Sequence, residues 1–91
     1  MSTADEKRAV RDLGVLRVEA IGWAREGGMH EVRARRARRA LNAAAWETRN
    51  HKRSELISLR IINAQQSVLA RDVLMLITDL ELISKTITGS V

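Results

Sequence analysis

Residues 54–88 read SELISLRIINAQQSVLARDVLMLITDLELISKTIT, and the spacing of their apolar side chains decides the fold class. Leu59, Ile62, Gln66, Leu69, Val73, Leu76, Leu80, Ile83 and Ile87 follow alternating steps of three and four, a heptad seam with one polar member. A second row, Ile61, Val68, Met75 and Leu82, recurs every seven residues on nearly the opposite side. The spacing predicts one helix over about 54–88, roughly 50 Å long at 1.5 Å per residue. A helix with two apolar rows needs two neighbours. A shorter helix upstream covers only one row, so the rest is expected to pack on a second copy. The expected oligomer interface is Leu59, Ile62, Gln66, Leu69, Val73, Leu76, Leu80 and Ile83, with Gln66 setting register or oligomer number.

Working towards the N-terminus, residues 30–53 carry eight basic side chains against Glu31 and Glu47. The flanks are close to neutral, five basic and five acidic residues over 1–29 and three basic against four acidic over 54–91, so the middle segment holds the whole excess of the +5 net charge. Its core, residues 33–40, contains only Arg and Ala, both strong helix formers. A helix over about 29–49 is expected. Ala34, Ala37, Leu41, Ala44, Ala45 and Thr48 form its narrow stripe of small side chains. Arginines spread around the rest, and Trp46 falls between Arg35 and Arg39 on the helical wheel. The polar run over 47–53 predicts a break, with Asn50 as a left-handed cap and Ser54 capping the next helix.

The first segment predicts a helix over about 4–26. Ser2…Asp5 and Thr3…Glu6 both have capping-box spacing, and Gly27-Gly28 supply the left-handed stop. Val10, Leu13, Ala20, Ile21 and Ala24 share one face, with Leu16 and Trp23 at its margin and Arg17 within it. The fold class expected is therefore all-α, a single domain over 1–91. It is a helical hairpin or three-helix bundle with a long C-terminal coiled-coil-like helix, completed by oligomerisation. Composition agrees: proline and cysteine are absent and aromatics are only 2%, which favours an aliphatic core between helices and excludes disulfides and thiolate chemistry. No stretch is long and apolar enough to span a bilayer, and the polar N-terminus has no apolar core of signal-peptide type. A cytoplasmic location is the expectation.

Catalysis finds little support. His30 and His51 are far apart in sequence, and Glu47 and His51 alone beside Arg49, Lys52 and Arg53 make a poor cation site. No phosphate loop or nucleophile motif occurs. No cofactor, metal or small-molecule substrate is expected. A run of one charge sign on a helix points instead to an anionic partner. Arginine pairs bidentately with phosphate, so nucleic acid leads, bound without base specificity because no set of polar base readers is present. The expected contacts are Arg33, Arg35, Arg36, Arg38, Arg39, Arg49, Lys52 and Arg53. Trp46 is expected either to stack on a base or to pack against a neighbouring helix under arginine stems, packing being the commoner state of Trp. The alternative is a structural subunit or adaptor of a larger helical assembly or filament, its arginines paired to acidic protein surfaces.

Overall fold

The computed structural model describes residues 3–89, and among these the chain is entirely helical. Four helices run in order: α1 (Ala4–Arg25), α2 (Glu31–Glu47), α3 (Ser54–Leu69) and α4 (Val73–Thr88). Short links make successive helices antiparallel neighbours. α4 also returns to α1, so each helix touches two others and the diagonal pairs stay apart. The outcome is a four-helix bundle of 39 × 21 × 19 Å.

The helix ends follow from local chemistry. Thr3 caps α1 and forms the reciprocal capping box, its hydroxyl accepting from Glu6 N–H while Glu6 Oε1 accepts from Thr3 N–H. The competing Ser2…Asp5 pair involves a residue outside those described. Gly27 and Gly28 take φ of 92° and 78°, and Gly28 N–H returns to Trp23 O at 2.7 Å to close the end of α1. The break over 47–53 is present, but by other means than expected. Asn50 does not adopt the left-handed conformation, and Ser54 is the first residue of α3 rather than its cap. His51 holds the link instead. Its Nδ1 accepts from Arg53 N–H at 2.9 Å and its Nε2–H donates to Ile87 O at 2.9 Å, pinning the link to the end of α4. Thr48, fully inside, donates to Ala44 O at 2.7 Å.

The main correction concerns 54–88, which is two helices and not one. Ala70 ends α3, Arg71 takes φ 58°, and Asp72 starts α4 with its carboxylate accepting from Met75 N–H at 3.0 Å. Arg71 N–H reaches Val68 O at 3.0 Å and Asp72 N–H reaches Ser67 O at 2.9 Å, the paired bonds of a Schellman end with Arg where Gly is usual. The Arg71 side chain also donates to Val68 O at 3.1 Å and to Glu31 at 2.7 Å, contacts that hold the left-handed residue in place.

This turn exchanges the apolar rows. In α3 the core takes Ile57, Ile61, Ala64 and Val68, so the second row faces inward. In α4 it takes Val73, Leu76, Leu80, Ile83 and Ile87, the first row. The two rows that demanded two neighbours are thus largely satisfied by folding the segment back on itself. Leu13, Leu16, Ala20 and Trp23 of α1 and the small stripe Ala34, Ala37, Leu41 and Ala44 of α2 complete the core. Leu16 and Trp23 are central in α1 and not marginal, while Ala24 is exposed. Small residues on α2 bring its backbone close to the core but bury little area, so α1, α3 and α4 supply most of the apolar stabilisation.

Candidate nucleic-acid interface

Helical geometry divides the arginines of α2 among three directions. The stripe Ala34, Ala37, Leu41 and Ala44 points inward, so Arg36 flanks α1, Arg38 flanks α3, and Arg35, Arg39 and Trp46 lie on the solvent side. Fates differ accordingly. Arg33 donates to Glu26 O at 2.6 Å and to Gly28 O at 2.7 Å, with its guanidinium 5.9 Å from the Trp23 ring centroid. A cation on the last carbonyls of α1 completes that helix end, so Arg33 is a structural residue. Arg36 grips Glu19 of α1 through two contacts, Nη2 to Oε2 at 2.7 Å and Nε to Oε1 at 3.4 Å.

Glu31 gathers three cations: Arg71 at 2.7 Å, Arg38 at 3.5 Å and Arg35 at 3.8 Å. Burial acts to raise its pKa, but Arg71, the Arg38 hydrogen bond and charge, and Arg35 together hold the carboxyl below the usual range. Glu47 behaves oppositely. Burial pushes it up, helped by Asp12 and Asp5, against the pull of Arg8 and Arg11. Arg39, Lys52 and Arg53 form no ion pair with a described residue.

Trp46 is not packed into the bundle, in contrast to the commoner state of this residue. It is 66% exposed, and Arg49 lies over one ring face with its guanidinium carbon 3.9 Å from the centroid. Arg49 is itself fixed by Trp46 O at 2.8 Å and by Asp5 at 3.7 Å. The other ring face is left to solvent. Trp23, in contrast, is buried.

The face that remains for an external anion is therefore narrower than the nine residues named from sequence. Arg39, without an ion pair among the described residues, lies on the same outward face as Trp46 but two turns, about 10 Å, away along α2. Arg35 and Arg38 share Glu31 at the exposed surface, where solvent screens each pair. Lys52 and Arg53 lie in the link after α2, next to the α4 C-terminus, at the opposite end of α2 from Arg35. Sequence reasoning missed the acids of the chain itself. Glu19 and Asp5 come from α1 through tertiary register and leave no local signal, whereas Glu31 with Arg35 at i+4 was legible.

Next to this face, Asn42 Oδ1 accepts from Gln65 Nε2 at 2.8 Å and sets α2 against α3. Trp46 consequently lies about level with Ile62. Leu59, Ile62 and Leu69 are 60%, 54% and 64% exposed, and Gln66 is exposed among them. The other expected interface residues, Val73, Leu76, Leu80 and Ile83, are buried within the single chain. Among the described residues no group of three metal-ligating side chains occurs, and no helix is long and apolar enough to cross a membrane. Glu47 turns towards Arg8 at 3.8 Å while His51 serves the α2–α3 link, so the two do not form a site. Comparison with protein-family models, with curated proteins and with solved structures returns no match to this chain.

Proposed function

We propose that the protein is a small cytoplasmic binding protein, not a catalyst, which engages nucleic acid through phosphates without base specificity. The contacts lie on the outward face of α2, where Arg35, Arg38 and Arg39 hold the backbone and Trp46 stacks on an unpaired base. The observation that carries this reading is Trp46, a large aromatic held outside the core, stacked by Arg49 on one face and open on the other. A ring in that state costs solvation and packs only under Arg49 in the free chain, so its place on the same outward face as Arg39 fits a ligand with both charge and a flat apolar surface. Self-association through the apolar stripe that α3 leaves uncovered belongs to the same proposal.

A second reading has its own support. Leu59 and Ile62 continue the surface next to Trp46, and a protein partner with acids around an apolar ridge would use them together with the arginines. Fluorescence anisotropy of labelled single-stranded and duplex oligonucleotides across a salt series tests the leading reading. Affinity that falls steeply with salt, favours single strands and drops in Trp46→Ala supports it. An affinity absent at low salt, or independent of salt, refutes it and leaves the acidic protein partner.

A further inference from the structure

We infer that the uncovered stripe of α3 is completed by a second copy of the chain through exchange of α4, the turn at 70–72 opening into continuous helix. This rests on the self-association proposed above and specifies its geometry. Leu59, Ile62 and Leu69 lie outside the bundle while Val73, Leu76, Leu80 and Ile83 lie inside it. Yet all belong to one heptad series whose three- and four-residue steps run unbroken across the turn. With 70–72 helical, both halves of the series fall on one side of a single rod, in register with the seam that already packs α4 into a bundle.

The turn itself is poised between the two forms. Neither Gly nor Pro occurs from Met29 to Thr88, and Ala70 and Arg71 are good helix formers. Arg71 holds φ 58°, a conformation that strains any residue with a Cβ, and straightening relieves it in both copies. Exchange leaves the core chemically unchanged, because each α4 meets the same α1 and α3 surfaces on the other copy. The new contact lies at the two former turns, where the Leu69 side chains of the two rods, next to the hinge, approach each other around the two-fold axis. Asp72 loses its capping role and the Arg71–Glu31 contact is remade or lost, which sets the two forms against each other.

Ser67 and Asp79 report which form is present. Ser67 Oγ donates to Asp79 Oδ2 at 2.7 Å between α3 and α4 of one chain. On exchange the same contact joins two chains. The chain has no cysteine, so Ser67→Cys/Asp79→Cys supplies a single reporter pair. The variant is refolded over a range of concentrations, treated with a mild oxidant, and run on a denaturing non-reducing gel beside light scattering of the unmodified protein. A disulfide-linked dimer that grows with refolding concentration is the expected result. Dimers in scattering with only intrachain disulfide would overturn exchange while leaving self-association standing, and monomers at every concentration would overturn both. Arg71→Gly is the second arm. Glycine accepts the turn without strain, so the dimer association constant is expected to fall roughly tenfold or more, two turns being relieved per dimer. An unchanged constant contradicts the hinge.

Discussion

Asp72→Ala distinguishes a turned chain from a straight rod by the sign of its effect. In the bundle Asp72 is the N-cap of α4, accepting from Met75 N–H at 3.0 Å with a carboxylate at the positive end of the helix. Loss of such a cap costs about 1 kcal/mol, within a range of roughly 0.5–2 kcal/mol. The charge adds about 0.3–1 kcal/mol at an exposed helix start. Together these predict a loss of about 1–2 kcal/mol, which for a domain of this size lowers Tm by roughly 4–8 °C per kcal/mol. Asp72→Asn keeps the cap and removes the charge, so it should recover most of the loss. In an uninterrupted helix over 54–88 the same position would be an exposed interior site, where Ala exceeds Asp by up to about 0.7 kcal/mol and the substitution would stabilise. Thermal and urea unfolding followed by circular dichroism, at a concentration where the protein is monomeric, gives the answer. A Tm equal to or above that of the unsubstituted chain would refute the turn at 70–72.

Other outcomes follow from the same contacts. Glu47 has a raised pKa in the fold, so its ionisation costs stability as pH climbs from the ordinary carboxylate value through the folded value, and the cost is constant above. Glu47→Gln should therefore raise Tm at neutral pH by a few degrees, with the difference closing on acidification; urea midpoints at several pH values check this. Glu31 is the converse, since its lowered pKa adds stability above the unfolded value that is lost as pH falls through the folded one. Glu31→Gln should remove that acid-side loss, seen in the same titration, and by freeing Arg35 and Arg38 should tighten oligonucleotide binding several-fold in anisotropy at low salt. Ile83→Ala, at a site with no solvent exposure, should cost about 2–5 kcal/mol in urea unfolding.

Much of the fold was legible where one local signal decided it. The Thr3–Glu6 box, the Gly27-Gly28 stop and the stripe Ala34, Ala37, Leu41, Ala44 and Thr48 all appear where the spacing places them. The turn at 70–72 was hidden because its left-handed position holds Arg71, kept there by Val68 O and Glu31, a contact across 40 residues. Heptad spacing cannot report such a turn, since α3 and α4 continue the same series and simply present opposite rows to the core. His51 was likewise opaque, its role depending on a carbonyl of Ile87 at the other end of the chain. On the candidate face, helical spacing correctly set Trp46 among arginines, and the general tendency of Trp to be buried pointed the wrong way. The basic character of α2 was plain in the sequence, but how far Glu19, Asp5 and Glu31 offset it depends on tertiary register. That offset leaves Arg39, with Arg35 and Arg38 exchangeable, as the outward charge.

Whether the outward arginines of α2 hold phosphate is read from the salt dependence of oligonucleotide affinity for the unsubstituted protein beside Arg35→Gln/Arg39→Gln. Among the described residues these two side chains form no ion pair beyond the Arg35–Glu31 pair at 3.8 Å, so the variant should keep its fold and Tm. Expected are measurable affinity at low salt, a steep fall with added salt, and a slope shallower by roughly two in the variant. Equal slopes and equal affinities for the two proteins would contradict phosphate contact by these arginines.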